Sequence, residues 1–282
     1  MLSRIVLLCA AAVAAGAASG CSGAASGTTV VASLYPLAYA AEQVAGSGVR
    51  VNDLAPPGAE PHDLELTARD VGRLQKAALV LYVGDGFQPA VEDALEGRSG
   101  RSLDVLEVAR PLRSARGPDP HVWLDPLRFA AVARAIAREL GDPAAAVPFV
   151  TRLEALDRDY RRGLSRCARR TLVTSHAAFG YLAARYGLRQ VPLLGLAPET
   201  EPTPRELARL VGTVRRSGAS TVFTEPLAPP ALADTVARET GAAVAVLDPL
   251  EGLTSSRREA GDDYFDVMRE NLAVLRKALR CA

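Results

Sequence analysis

Lysine is nearly absent from this chain, in which only Lys76 and Lys277 stand beside a large number of arginines. Neither lysine follows a glycine-rich turn, so a phosphate-binding loop of the G-x-x-x-x-G-K-[ST] type and its ATP chemistry are excluded. Lys and Arg total 33 against 32 Asp and Glu, a net charge of +1. Such a balance provides no long-range attraction to nucleic acid, and we expect no nucleic-acid partner.

Long apolar runs are also missing, apart from one short run near the start of the chain. This run follows the single positive charge of Arg4 and gives way to small residues before Cys21. It is shorter than the roughly 20 residues that a membrane-spanning helix needs. A positive start, a short apolar centre and a small-residue exit are typical of a secretory signal peptide. We therefore predict that residues 1–20 direct export and are removed.

The residues at the predicted cleavage site, Ala18-Ser19-Gly20-Cys21, resemble a bacterial lipobox, with alanine where leucine is usual. This predicts that Cys21 is lipidated and that residues 21–28, rich in Ser and Gly, tether the folded protein to the cell membrane. The alternative is ordinary cleavage, which would leave the protein free in the periplasm. Either way, we expect an extracytoplasmic protein.

Cysteine is scarce, with four in the chain. Cys9 lies in the predicted signal peptide and Cys21 is assigned to the lipid, which leaves Cys167 and Cys281. In an oxidising compartment two remaining cysteines favour a disulfide. Two unrelated buried thiols are the alternative.

Beyond the tether, short β-branched runs alternate with helical patterns and short connections. This alternation predicts an α/β fold with two doubly wound parallel-sheet lobes. We place the first lobe at residues 29–141 and the second at 169–282, joined by a long helix over 142–168. The last strand predicted for the first lobe covers residues 103–108.

The chain holds three histidines, and each follows a predicted strand: His62, His121 and His176. Asp248 ends a further strand in the same way. Parallel sheets bind ligands outside the carboxyl ends of their strands. A single histidine is more often a surface or hydrogen-bonded core residue, but three in equivalent positions favour a cleft site. Three imidazoles and one carboxylate are a typical donor set for zinc.

Several segments resemble the TroA-like family of zinc- and manganese-binding lipoproteins that supply ABC transporters. They occur in the family's order and cover nearly all of the predicted mature chain: Pro61-His62-Asp63, Asp119-Pro-His-Val-Trp-Leu-Asp-Pro126, Thr174-Ser-His-Ala-Ala-Phe-Gly-Tyr181, Phe223-Thr-Glu-Pro226 and Leu247-Asp-Pro-Leu250. The resemblance implies two lobes with a metal cleft, a membrane permease as partner and, here, a monomer. It implies His62, His121, His176 and Asp248 as ligands, and histidine at the third position indicates Zn²⁺ as cargo rather than Mn²⁺.

Three further carboxylates are candidates for the surroundings of the metal. Asp63 and Asp119 are placed to orient imidazoles, and Glu225 ends a strand near the expected cleft. Two alternative functions remain open. One is a manganese carrier of the same family, and the other is a zinc-dependent hydrolase, which would need an open metal position to activate water. Because Asp248 would fill that position, we expect no catalytic residue and no enzyme activity.

Overall fold

The computed structural model describes residues 27–114, 117–196 and 202–282. The predicted signal peptide, Cys21 and most of the predicted tether lie outside the described residues. Within the described part of the chain, no helix has both the length and the apolar character required to cross a membrane.

The first lobe is built on a parallel four-stranded sheet in the order β2-β1-β3-β4. Its strands are β1 (Thr28–Ala32), β2 (Val49–Asp53), β3 (Leu79–Tyr82) and β4 (Arg101–Asp104). Helices alternate with these strands: α1 (Tyr35–Val44), α2 (Ala68–Lys76), α3 (Pro89–Leu95), α4 (Val105–Ala109) and α5 (Pro126–Glu139). A short antiparallel pair, β5 (Arg113–Ser114) and β6 (Gly117–Pro118), lies between α4 and α5.

The second lobe repeats this plan with a parallel sheet in the order β10-β9-β7-β8. Its strands are β7 (Thr171–Thr174), β8 (Arg189–Pro192), β9 (Thr221–Thr224) and β10 (Ala243–Val246). Its helices are α7 (Gly180–Tyr186), α8 (Pro204–Ser217), α9 (Ala231–Thr240), α10 (Ser255–Ala260) and α11 (Tyr264–Leu279). Two parallel sheets flanked by helices confirm the predicted α/β fold class.

The strand predicted over residues 103–108 is wrong in its second half, where the chain forms helix α4. Asp104 causes the change, because its Oδ1 accepts hydrogen bonds from the backbone N–H groups of Gly84 and Leu106 at 3.0 and 2.9 Å. A side chain that binds the N–H two residues ahead caps a helix. The apolar residues that suggested a strand, Val105 and Leu106, are buried in the first turn of α4 instead.

The connection between the lobes is a helix shorter than the one predicted. Asp142 caps a 3₁₀ turn over Pro143–Ala146, and α6 follows over Val147–Gly163. Pro148 lies in the first turn of α6, where a missing N–H costs no hydrogen bond. The prolines therefore delay the start of the α-helix without kinking it.

Helix α11 packs between the lobes and joins them. The hydroxyl of Tyr264 on α11 donates a hydrogen bond to the carbonyl of Trp123 in the first lobe at 2.7 Å. The hydroxyl of Tyr160 on α6 donates to the carbonyl of Met268 on α11 at 2.6 Å. All four side chains are buried in one continuous core that spans both lobes, so the interface is a packed interior rather than an open hinge.

The predicted disulfide between Cys167 and Cys281 is confirmed. It fastens the end of α11 to the segment after α6, and backbone hydrogen bonds from Ala168 and Arg169 to Arg280 and Leu279 flank it. The cysteines are 114 residues apart. Closing a loop of this length lowers the entropy of the unfolded chain and contributes roughly 2–5 kcal/mol.

Candidate metal centre

His62 lies on a 3₁₀ turn, Pro61–Asp63, in the connection after β2. Glu60 caps this turn by accepting a hydrogen bond from the backbone N–H of His62 at 3.4 Å. The buried amide of Gln88 donates to the carbonyls of Ser33 and Pro61 at 3.2 and 3.1 Å. Gln88 therefore ties the His62 turn to the end of the central strand β1.

His121 precedes a second 3₁₀ turn, over Val122–Leu124, and is fully buried. Asp119 holds it at two points: its Oδ1 accepts from the backbone N–H of His121 at 3.0 Å and lies 2.7 Å from Nδ1 of the ring. Tyr181 from the second lobe donates its hydroxyl proton to the carbonyl of Asp119 at 2.7 Å. The orienting role predicted for Asp119 has this geometry.

His176 follows β7 directly and is also fully buried. Its carbonyl accepts from Thr174 Oγ1 at 2.6 Å and from Gln190 Nε2 at 3.0 Å. Glu225, after β9, accepts from the backbone N–H of His176 at 3.2 Å. The second oxygen of Glu225 lies 2.6 Å from Nδ1 of the ring, although the N–H is not aligned on it as a hydrogen bond.

The three imidazoles converge on Glu251, not on Asp248. Oε1 of Glu251 lies 2.7 Å from Nε2 of His121, 3.2 Å from Nε2 of His176 and 3.3 Å from Nε2 of His62. One donor atom from each of these four residues lies within 4.8 Å of the others. The cluster could therefore hold one metal ion with three nitrogens and one oxygen.

Asp248, the predicted fourth ligand, lies outside this cluster because its carboxylate has other partners. Its Oδ1 accepts from the backbone N–H of Leu250 at 2.8 Å, and its Oδ2 lies 3.6 Å from Arg257 Nε. Leu250 has φ of 57°, a left-handed conformation that turns the chain sharply. Asp248 thus closes a turn that directs Glu251 into the cluster.

Glu251 is absent from the predicted ligand set because that set relies on a strand that ends at Asp248, whereas β10 ends at Val246. An aspartate followed by proline is a turn-forming signal, and it could have indicated that the ligand lies further along the chain. Asp63 also differs from its predicted role. It is exposed and lines a cavity, and within the described residues its carboxylate has no hydrogen bond to an imidazole.

The charged groups of the cluster shift one another's pKa values in the direction opposite to that caused by burial. Burial raises the pKa of a carboxyl group, yet the adjacent imidazoles hold the pKa of Glu251 well below its usual range. Burial lowers the pKa of His176, but Glu251 and Glu225 raise it well above the ordinary value. Against the same burial, Asp119 and Glu251 raise the pKa of His121. Burial, together with neighbouring Glu251, raises the pKa of Glu60 to about 8.

A cavity of about 390 Å³ leads to the cluster from the first-lobe side. His62 lines it together with Asp63, Phe87 and Leu196. The side chain of His62 is 5% exposed, whereas those of His121 and His176 are 0% exposed. The cavity therefore gives access to the cluster past His62.

Together, two parallel-sheet lobes and a buried cluster of three imidazoles and one carboxylate define a cation-binding protein of the two-lobed α/β class. The family model of ZnuA, "Zinc-uptake complex component A periplasmic", matches residues 30–278. The chain belongs to this family. The resemblance of its motifs to the zinc-binding branch of the TroA-like proteins is thereby confirmed.

Two relatives differ in how much of them the chain covers. It is 32% identical over 283 residues to the zinc-binding protein AdcA of Streptococcus pyogenes, covering 88% of this chain and 55% of AdcA. The chain thus spans about half the length of that relative. It is 30% identical to the high-affinity zinc uptake system protein ZnuA of Bacillus subtilis, covering 89% of this chain and 87% of ZnuA.

Solved structures share the fold. The laminin-binding protein Lmb of Streptococcus agalactiae, described as bifunctional with adhesin and metal-transporting activity, matches with a TM-score of 0.81 at 31% identity, covering 90% of this chain and 100% of Lmb. The Zn(II)-bound ZnuA-like domain of Streptococcus pneumoniae AdcA matches with a TM-score of 0.75 at 32% identity, covering 90% of this chain and 99% of that domain.

Proposed function

We propose that this protein captures Zn²⁺ between its lobes and delivers it to the permease of an ABC transporter. The ligands are His62, His121 and His176 through Nε2 and Glu251 through a carboxylate oxygen. The observation that carries the proposal is the placement of these four donor atoms within 4.8 Å of one another. The zinc-binding and zinc-uptake relatives support the same cargo.

The donor set favours zinc over manganese. Imidazole nitrogen is a good ligand for zinc, whereas manganese prefers carboxylate, carbonyl and water oxygens. Three nitrogens and one oxygen match the four-coordinate geometry that zinc adopts in proteins. Asp119 and Glu225 fix the rings of His121 and His176 from the far side, as the outer partners of metal-binding histidines do.

The protein acts as a carrier rather than an enzyme. A hydrolytic zinc site keeps one position open for water, whereas here four side chains offer donor atoms that would fill a tetrahedral site. His121, His176 and Glu251 are also buried, so only the His62 side of the cluster borders the cavity. The membership in a family of zinc-uptake components supports transport over catalysis.

The organisation proposed from the sequence completes this function. Residues 29–141 and 169–282 form the two lobes, and residues 142–168 connect them. Lipidated Cys21 and the tether over residues 21–28 hold a monomer on the outer side of the cell membrane, close to the permease. A pneumococcal relative named the zinc-binding lipoprotein AdcA supports an anchored form.

The test is a competitive metal titration of the mature chain, residues 21–282, prepared without metal. We expect one zinc ion per chain, release of protons on binding, and an affinity for zinc that exceeds that for manganese. Glu251→Gln should weaken zinc binding far more than Asp248→Asn. A stronger affinity for manganese, or equal effects of the two substitutions, would contradict the proposed cargo or the proposed ligand set.

A further inference from the structure

A basic groove lies on the first lobe between helix α2 and the edge strand β2. Arg69, Arg73 and Lys76 line it at intervals of four and three residues, which places them on one face of the helix. Thr29 of β1 and Asn52 of β2 line the opposite side, and the groove encloses about 450 Å³. Arg50 is paired in register with Thr29, so it stands beside the groove on the same face of the sheet.

Most of this positive charge is not neutralised by the protein. Arg73 pairs with Asp70, the only carboxylate of α2, at 3.0 Å. Arg50, Arg69 and Lys76 are exposed and form no ion pair with any described residue. The net charge of +1 for the whole chain therefore conceals a local positive surface.

The chain enters the folded lobe at this groove. Strand β1 begins at Thr28, and the next residue, Thr29, lines the groove. Seven peptide units separate Thr28 from Cys21. At no more than about 3.6 Å per residue, they reach at most ~25 Å. A lipid on Cys21 would consequently hold the groove close to the membrane surface.

We propose that this face, formed by Arg50, Arg69, Arg73 and Lys76, rests on the anionic phospholipid headgroups of the anchoring membrane. The proposal depends on the anchorage at Cys21 proposed above. Basic residues beside a membrane attachment point bind anionic headgroups, and the attraction is limited to about a Debye length. The short tether keeps the groove near that range, which a long linker would not.

The groove and the metal site lie on different surfaces of the first lobe. The groove follows the face of the sheet that α2 covers, from Thr29 near the amino end of β1 to Asn52 near the carboxyl end of β2. His62 lies instead on a turn beyond the carboxyl ends of the strands, and Gln88 ties this turn to Ser33. The groove and the cavity beside His62 share no lining residue, so headgroup binding at the groove leaves the residues that line that cavity free.

The experiment measures partition of unlipidated mature chain, residues 21–282 with Cys21→Ser, onto vesicles; every described helix and strand lies within this range. Vesicles of phosphatidylcholine with roughly 30% of the anionic lipid phosphatidylglycerol are compared with vesicles of phosphatidylcholine alone. The test variant carries Arg50→Gln, Arg69→Gln and Lys76→Gln. The matched control carries Arg205→Gln, Arg209→Gln and Arg216→Gln on the exposed face of α8, which removes the same charge elsewhere.

We expect the parent chain and the α8 control to bind the anionic vesicles and the groove variant to lose about fivefold in partition for each cation removed. Binding should also fall as salt concentration rises. Equal losses in both triple variants would indicate a net-charge effect and overturn the proposal, as would equal binding of the parent chain to both kinds of vesicle. Zinc titration of the same proteins is a separate readout, because neither triple variant touches the metal site. Failure of zinc binding would thus leave the vesicle result interpretable.

Discussion

The two lobes share one sheet plan, but they hold their metal-site residues differently. The first lobe presents His62 nine residues after β2 and His121 three residues after the short strand β6, which lies outside its parallel sheet. The second lobe presents His176 two residues after β7 and Glu251 five residues after β10. The second lobe therefore holds its donors close to the ends of its parallel strands, whereas the first lobe carries them on longer connections outside its parallel sheet.

The supporting carboxylates show a different contrast, which separates His62 from the other two histidines. Asp119 and Glu225 contact Nδ1 of His121 and His176 at 2.7 and 2.6 Å. Within the described residues, the ring of His62 contacts only one carboxylate, Glu251, at 3.3 Å. His62 also borders the cavity. We therefore expect zinc to enter and leave past His62, and we expect the other three residues to form the part of the site that is already in place.

The largest expected effect comes from Glu251, on which the residues from both lobes converge. Glu251→Gln removes the carboxylate that, alone among the described residues, contacts all three imidazoles. Loss of an outer partner of a metal ligand costs about 10–100-fold in affinity, and loss of a ligand should exceed that range. We expect zinc affinity to fall by more than about 100-fold in a competitive chelator titration.

Asp248→Asn is the matched control for Glu251→Gln, since it changes an acid three residues away. Asparagine can still accept the hydrogen bond from Leu250 that shapes the turn. Zinc affinity should therefore change by less than about tenfold, which corresponds to 1.4 kcal/mol. If Asp248→Asn weakened zinc binding as much as Glu251→Gln, the sequence-based ligand set would be restored.

The pH dependence of zinc binding should be the next largest effect. The pKa values of His121 and His176 are raised above 6.5, so protons compete with zinc at these rings even near neutral pH. Affinity should fall by about tenfold per pH unit for each displaced proton as pH drops through this range. Isothermal titration in buffers of different ionisation enthalpy counts the protons released. Zinc affinity unchanged between about pH 6 and 8, across the ordinary histidine pKa, would exclude both rings as ligands.

The stability of the metal-free protein should change with pH in the direction opposite to its zinc affinity. A histidine whose pKa is raised by folding stabilises the fold fully below its unfolded pKa of about 6.5, and this contribution disappears as pH rises through the folded pKa. For His121 and His176 the melting temperature of metal-free protein should therefore fall with rising pH, while zinc-bound protein gains stability. Parallel thermal melts with chelator and with zinc would test this crossing.

The carboxylates behind the rings sharpen the comparison between the lobes. Asp119→Asn and Glu225→Gln each remove a charge that orients one imidazole, and each should reduce zinc affinity by about 10–100-fold. Glu225 also accepts the backbone N–H of His176, as Asp119 does for His121, so amide substitution preserves one contact in both cases. We expect similar losses by titration. A loss confined to one variant would show that the lobes do not orient their rings equivalently.

Local sequence patterns predicted much of this architecture. Alternating strands and helices predicted the two parallel sheets, and the positions of His62 and His176 after strands indicated the site. His121 follows the short pair β5 and β6 rather than the fourth strand of the sheet. The order of strands that brings all three side chains to a single point is set by packing over long sequence separations. No local pattern in the chain contains that information.

The prediction of Asp248 as the fourth metal ligand departs from the structure for a different physical reason. Asp248 was chosen because it follows an apolar run, but the turn it forms with Leu250 decides the direction of the next side chains. The left-handed conformation of Leu250 turns the chain so that Glu251, three positions after Asp248, supplies the carboxylate of the cluster. Strand β4 shows the same limitation, since one capping bond from Asp104 converted an apparent strand into a helix.

The smallest expected effect concerns the hydrogen bond that fastens the first lobe to the segment carrying Glu251. Nε1 of Trp123 donates to the carbonyl of Pro249 at 2.7 Å in the buried interface. Trp123→Phe leaves that carbonyl unpaired and should lower the free energy of unfolding by about 1–3 kcal/mol. Zinc affinity should fall only severalfold, because the Asp248 turn still holds Glu251.

Tyr264→Phe is the matched control, since it removes a buried hydrogen bond of the same length to the carbonyl of Trp123 without touching Pro249. Chemical denaturation and zinc titration of both variants separate the two effects: similar losses of stability are expected, with the loss of affinity confined to Trp123→Phe. Equal zinc affinities in the two variants would show that this bond contributes to the core alone and does not position Glu251.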